Sequence, residues 1–293
     1  YVSDQIKIGS HWHAALGLRY EKQDASSLEQ LSKVGRTQSE GATVPNVGLV
    51  FQPTDHWSLY ASYCESFKPA SPDAIDANFQ PGFPPETAQQ YEAGIKTDLF
   101  NGKLNLTAAV YDITKQNVLE SAVPTITSAD GSTVQRLIGE QESKGVEFEA
   151  TYQPIPNWQL QLGYTYIDAR IKATTTTSDI GAILTNVPHN SGNFWNRYNF
   201  ATGPLKGFGA GLGVIYQGRR NGASTNVLAN QFAAPGYTRV DAALYYRWHR
   251  FDVALNVANL TDKYYISSTS TRFFSQVFPG EPRKLTLSVK TTF

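Results

Sequence analysis

Apolar and polar side chains alternate with a period of two along most of this chain, the spacing of strands that show one face to an oily medium and one to water. Trp12, Ala14, Leu16, Leu18 and Tyr20 fall on one side, with His11, His13, Gly17 and Arg19 on the other. Trp158, Leu160, Leu162, Tyr164 and Tyr166 alternate likewise with Gln159, Gln161, Gly163 and Thr165. The rhythm returns in Val146, Phe148, Ala150 and Tyr152, in Val240, Ala242, Leu244 and Tyr246, in Phe251, Val253, Leu255 and Val257, and finally in Leu285, Leu287 and Val289. About twelve such segments are delimited by alternation and turn signals.

The joints between segments carry more information than the segments. Short joints contain "QPTDH" at Gln52 to His56, "NG" at Asn101 and Gly102, "QPIPN" at Gln153 to Asn157, "TGPLKG" at Thr202 to Gly207 and "HR" at His249 and Arg250. Long joints lie over Glu21 to Glu40, Lys68 to Thr87, Leu119 to Val134, Lys172 to Asn186, Asn221 to Pro235 and Thr261 to Glu281, and the two kinds alternate throughout. Nothing in a soluble β-sandwich forces loop lengths to segregate to opposite ends. In a transmembrane barrel every strand crosses the bilayer, so tight turns collect on the periplasmic side and long loops outside. Trp12, Trp57, Trp158 and Trp248 stand beside short turns, where an interfacial aromatic girdle belongs. The expected fold is therefore all-β, a transmembrane antiparallel up-and-down β-barrel. A soluble all-β domain is the competing reading. Strand-centre charges such as Glu92, Lys96, Asp98, Glu147 and Glu149 suit a water-filled or plugged lumen as well as a solvated sheet face.

Composition sharpens this picture. Aromatics make up 12% of the 293 residues, with 16 Tyr, 15 Phe and 5 Trp, although the mean hydropathy is negative. That combination suits a wall that is apolar only on alternate positions. No apolar run is long enough for a membrane-spanning helix. Lys plus Arg and Asp plus Glu both number 25, which leaves no basic excess for nucleic acid. Cys64 is the one cysteine, so no internal disulfide is available, and it reads as a tolerated small residue. Absence of Met throughout and the opening "YVSDQIKIGS" point to a mature or truncated segment.

Several strings resemble, in order, the C-terminal half of the barrel of TonB-dependent outer-membrane receptors, in particular the ferric-siderophore branch. They include "LYASYCESFKP", "PPETAQQYEAGIKTDLFNGKLNLTAAVYDITKQNV", "GVEFEATYQPIPNWQLQLGYTYIDARI", "NVPHNSGNFWNRYNF" and "APGYTRVDAALYYR". The tail is the most specific, with Asn256, Asn259, Leu260, Asp262, Tyr265, Gly280, Pro282, Arg283 and the terminal Phe293 matching the family's closing pattern. Cys64 stands where Ser is usual and His189 where Arg is commoner. The resemblance implies a barrel of roughly 22 strands around a plug, of which residues 1–293 carry the C-terminal part without plug or N-terminal segment. It implies no catalytic residues, no cofactor and no metal site, iron being carried only as the siderophore chelate. The implied partners are a ferric siderophore, a TonB-type energy-coupling protein reached through the N-terminal part, outer-membrane lipid, and the barrel assembly machinery, which reads the terminal aromatic. The implied place is the bacterial outer membrane.

Candidate chemistry adds little beyond this. "GFGAGLG" puts Gly207, Gly209, Gly211 and Gly213 on one strand face, which leaves room for a close neighbour or a plug, whereas a nucleotide fingerprint opens a helix. His11 and His13 share a face without a third ligand nearby. A compact, partly aromatic ferric chelate calls for aromatic walls and a few donors in the long loops. Phe79, Phe83, Arg136, Phe232, Arg272, Phe273 and Phe274 meet that description, "TRFF" being the strongest group. A passive porin, an adhesin-type barrel, a haem or cobalamin receptor, and a small barrel closed between the first and twelfth strands remain as alternatives. The barrel reading predicts recovery of the protein only with detergent; extraction into detergent-free buffer as a soluble monomer would overturn it.

Overall fold

In polar stretches a strand shows little alternation, and its extent is set by ladder pairing instead. The computed structural model describes residues 1–28, 33, 35–121, 126, 128, 134–270 and 275–291. Its strands are β1 (Val2–Ile8), β2 (Trp12–Leu28), β3 (Gly35–Thr54), β4 (Trp57–Lys68), β5 (Glu86–Leu99), β6 (Leu104–Ser121), β7 (Gln135–Ile155), β8 (Trp158–Ala173), β9 (Asn190–Asn199), β10 (Phe208–Gln217), β11 (Arg220–Asn221), β12 (Ala233–Ala234), β13 (Tyr237–Trp248), β14 (Phe251–Ala258), β15 (Ile266–Ser270), β16 (Gln276–Pro279) and β17 (Lys284–Thr291). Thirteen of them form one antiparallel sheet in the order β1-β2-β3-β4-β5-β6-β7-β8-β9-β10-β13-β14-β17, while β11–β12 and β15–β16 are small hairpins within long joints.

Two expectations change. Val2–Ile8 pairs with β2 and adds a strand to the twelve anticipated. An odd count makes the two edge strands run in the same direction, so closing the chain on itself would demand a parallel pair; the small self-closed barrel is thereby disfavoured. Most of the joint expected over Glu21 to Glu40 is also ladder, with the β2–β3 register unbroken from Trp12↔Phe51 to Leu28↔Gly35. The tight turns and long joints fall at opposite ends of the sheet, as the alternation of joint lengths required.

The registers carry the period-two pattern across the whole wall. One lateral row reads Leu49, Ala61, Ala93, Val110, Val146 and Tyr166. A row on the opposite face reads Tyr60, Gly94, Ala109, Glu147, Thr165 and Ser191. Trp12, Trp57, Trp158 and Trp248 all belong to the apolar face, at strand ends next to tight turns. Large apolar side chains are exposed there, Leu162 at 44% and Leu287 at 68%, and few are buried among the described residues. A sheet that leaves its apolar face open and its other face charged has no dry core to offer; the medium that covers the apolar face is lipid.

The polar face is closely fitted. Tyr60 lies over Gly94, where an added Cβ would sit 2.7 Å from the ring, and Trp195 covers Gly211 and Gly213, where it would sit 2.6 and 2.5 Å away. The close neighbour anticipated for the glycine strand is thus Trp195, with Asn199 over Gly209. Gly207 departs from that row: it lies in the turn before β10 at φ 91, a region that favours glycine. Replacing Leu162 by Lys on the apolar face should cost the full-length receptor about 2–4 kcal/mol, if the site lies near the bilayer midplane. Gln161→Lys on the other face should cost far less, and urea unfolding in lipid vesicles measures both.

Candidate functional site

At the end of the sheet that carries the long joints, the described loop residues assemble into two tied groups. Residues 69–85, between β4 and β5, form the first. Asp76 nucleates a turn in which its Oδ1 accepts the Asn78 and Gln80 N–H groups at 2.8 and 2.9 Å. The Gln80 amide first, and then Asn78, hold the Asp76 carboxyl below its ordinary range. Phe79 rides on this turn, exposed, at φ 61. Ile75 is fully buried against Val134, and Gln135 donates its N–H to the Ile75 carbonyl at 2.8 Å. Gln38 Nε2 donates to the Phe83 carbonyl at 2.7 Å, and the Ala70 N–H donates to Glu40 Oε2 at 3.2 Å. Phe79 and Phe83 therefore share a loop that is fastened at both ends to the extended β2–β3 hairpin and to the start of β7.

The second group joins three segments, 174–189, 218–236 and 259–283. Asn186 Oδ1 accepts the Thr269 N–H at 2.8 Å, and its Nδ2 donates to the Thr269 carbonyl at 2.9 Å. Asp179 Oδ1 accepts from the Thr225 hydroxyl at 2.7 Å and from the Asn226 N–H at 3.1 Å. Arg220, 4% exposed, donates to the Ser267 carbonyl at 2.6 Å and to that of Ile266. No carboxylate meets that guanidinium among the described residues; the Tyr237 ring lies 5.8 Å from it instead. Phe232 packs over Gly222 within the β11–β12 hairpin. It thus belongs to a different group from Phe79 and Phe83. The β7 backbone pairs Arg136 with Glu120, but the Arg136 side chain, like Arg272, Phe273, Phe274 and Phe293, lies outside the described residues.

The tail motif turns out to be structural. Asn259, 1% exposed at φ 52, donates through Nδ2 to the carbonyls of Lys263 at 2.9 Å and Glu281 at 3.1 Å, and its Oδ1 accepts the Lys263 N–H at 2.8 Å. Its own N–H donates to Asp241 Oδ1 at 2.7 Å. Asp262, also at positive φ, accepts the Arg283 N–H at 2.8 Å, and the Leu260 N–H donates to the Val240 carbonyl at 2.7 Å. Gly280 makes room for Tyr265, whose ring would lie 2.1 Å from any Cβ there; Tyr265 in turn stacks on Tyr237 at 4.3 Å. Asn256 lies in β14 opposite Ala243 and Thr286, on the polar face. These residues cinch the foot of the last long joint between β14 and β17.

The charged groups of the polar face sit lower. Tyr60 donates to Glu92 at 2.6 Å, with Lys96 Nζ 5.0 Å from its ring. Arg197 stacks 3.9 Å over Tyr245. Cys64 is a free thiol on the same face, opposite Asn46 and Gln90. His11 bonds the Gln52 carbonyl at 2.8 Å rather than joining His13, and no metal-ligand group of three exists among the described residues.

The model of the TonB-dependent receptor-like β-barrel family matches residues 1–260. The chain belongs to that family. Among curated relatives of this receptor barrel, the metal-pseudopaline receptor CntO of Pseudomonas aeruginosa is 32% identical over 301 residues, covering 100% of this chain and 40% of the relative. The ferrichrome outer membrane transporter/phage receptor of Escherichia coli is 33% identical over 276 residues, covering 92% of this chain and 34% of the relative. The crystal structure of the siderophore receptor PiuA from Acinetobacter baumannii superposes with a TM-score of 0.79 at 27% identity, over 98% of this chain and 42% of that one. The chain thus spans 34% to 42% of the length of these relatives. Its fold is that of a TonB-dependent receptor barrel, its place is the bacterial outer membrane, and it is not an enzyme. The polar face is then the lumenal wall and the tied loops are extracellular. Asn259→Ala should destabilise the full-length receptor by about 1–3 kcal/mol, since several hydrogen bonds at a buried site go unmade. Chemical unfolding measures that cost, and faster proteolysis within Tyr264–Glu281 should accompany it.

Proposed function

We propose that the chain is the C-terminal part of the barrel of an outer-membrane receptor for ferric siderophores, with a plug and further strands supplied by the rest of the receptor. The observation that carries this reading is the match over the whole of this chain, at 32% identity, to the metal-pseudopaline receptor, together with that to the probable TonB-dependent siderophore receptor PiuA at 29%. Strand parity supports it: roughly 22 strands less the 13 in the sheet leaves about nine, an odd number, as needed to connect two edges that run the same way antiparallel to each neighbour. Iron arrives as the chelate and leaves as the chelate. No bond in the cargo is made or broken, so the barrel supplies a wall and an outer vestibule.

The loop aromatics Phe79, Phe83, Phe232, Phe273 and Phe274, with Arg136 and Arg272, are the cargo-contacting residues in this reading. Passage is driven by the TonB-type coupling protein through the N-terminal part, the apolar face contacts outer-membrane lipid, and the barrel assembly machinery inserts the receptor. Relatives whose names state a siderophore or ferrioxamine cargo favour this reading over a porin, an adhesin, or a haem or cobalamin receptor. Deleting the full-length gene should abolish growth on at least one ferric siderophore as sole iron source, and Phe273→Ala with Phe274→Ala should weaken binding of that siderophore. Unimpaired growth on every siderophore the parent strain uses would overturn the reading.

A further inference from the structure

A cavity of about 420 Å³ opens on the lumenal side at the outer end of the wall, between the 69–85 loop, the extended β2 strand and the upper part of β6. Its floor is apolar and stiff, with Pro69, Pro72, Pro84, Ala70 and Ala74. Proline walls lose little entropy on binding, and the fastenings at Ala70, Phe83 and the Ile75–Val134 contact hold them in place. Gln23, Ser71, Glu86, Asn117 and Gln135 supply the rest of the polar lining beside Lys68.

Two features mark this cavity off from a mere crevice. The first is charge. Lys68 and Glu86 face each other in the β4–β5 register, yet Glu86 is taken by Lys115 Nζ at 2.9 Å. Lys68 is left with no hydrogen-bond or ion-pair partner among the described residues, although it lines the cavity. Of the other carboxylates near it, Glu40 accepts from the Ala70 N–H and from Gln38, and Asp73 accepts from the Ser27 hydroxyl at 2.5 Å and lies 3.9 Å from Arg36. The second is the bulge of β6. β6 slips register between Lys115 and Val118, and Asn117 within that bulge takes φ 57, a conformation that Asn adopts more readily than most residues, held by its Nδ2 donating to the Pro85 carbonyl at 3.0 Å. Bulges interrupt the ladder and gather where a side chain is re-aimed.

We infer that this cavity is a preorganised subsite for one anionic arm of the metal chelate, with Lys68 supplying the charge, the prolines the shape and the bulge-held Asn117 a further polar group. The inference rests on the siderophore reading and adds to it the charge of the cargo and the residue that reads it. Its volume suits an arm of the ligand rather than the whole chelate.

Fluorescence titration of the full-length receptor in detergent tests it, with a negatively charged ferric tricatecholate, ferric citrate and an uncharged ferric trihydroxamate as probes. Wild type should bind at least one anionic probe, and Lys68→Glu should weaken that binding by about 10-fold or more, as expected for loss of a charge-assisted contact. Binding of the uncharged probe should move by less than about twofold, on the same charge argument. Lys103→Glu, the same charge change in a tight turn at the opposite end of the wall, should leave all three unchanged. Heat-modifiable migration of each variant reports that the barrel is folded. Anionic binding that Lys68→Glu leaves intact, or an equal loss for the uncharged probe, overturns the subsite alone. Wild-type binding to none of the three, in a receptor that supports no siderophore-dependent growth, overturns the siderophore reading and the subsite with it.

Discussion

Every backbone N–H and C=O in the hydrocarbon must find a partner within the protein, because lipid offers none. A sheet that continues from strand to strand is one of two solutions, and this wall takes it with few interruptions. The tight turns at its inner end hold neighbours in register, as in Ile8↔Trp12 and Trp248↔Phe251. Register then decides everything lateral to it. A slip by one residue would carry Glu147 into lipid and Val146 into the lumen. The same requirement bears on the outer edges of β1 and β17, which have no ladder partner among the described residues.

With the apolar face turned outward, the usual interior is missing, and shape is fixed on the lumenal side by other means. Aromatic rings lie flat on cross-strand glycines: Tyr60 on Gly94, Tyr111 on Gly145, Trp195 on Gly211 and Gly213. Each ring covers backbone that a glycine would otherwise leave open, and each glycine removes the Cβ that would push the ring into the lumen. The wall is consequently smooth where rings and glycines meet and charged where Glu92, Glu147, Glu149 and Arg197 project between them.

Outside the membrane, order comes from polar side chains that bond to main chain. Asn186, Asn259, Asp76 and Asp179 each satisfy two or more groups of a loop, the first two from left-handed backbone that Asn tolerates better than most residues. The outer end is therefore a set of tied segments. One group carries Phe79 and Phe83, the other Phe232, and the cavity beside Lys68 belongs to the first.

The sequence determined the class of fold, the sidedness of each membrane-crossing strand, the segregation of tight turns from long joints and the Trp positions, because burial in lipid on one face imposes a period of two that can be counted residue by residue. The tail motif was legible as a signature, but nothing in its spacing said that Asn259 staples a loop or that Gly280 yields to Tyr265. Strand ends above the membrane were misjudged for the same physical reason: from Glu21 to Leu28 both faces are wet, so alternation vanishes while the ladder continues. Only the tertiary structure decided the first strand and with it the odd count, the pairing of Trp195 with its glycines, the ties between distant loops, and the contest in which Lys115 takes Glu86 and leaves Lys68 without a partner among the described residues. Each depends on which residues stand opposite one another across strands, and register is a property of the assembled sheet.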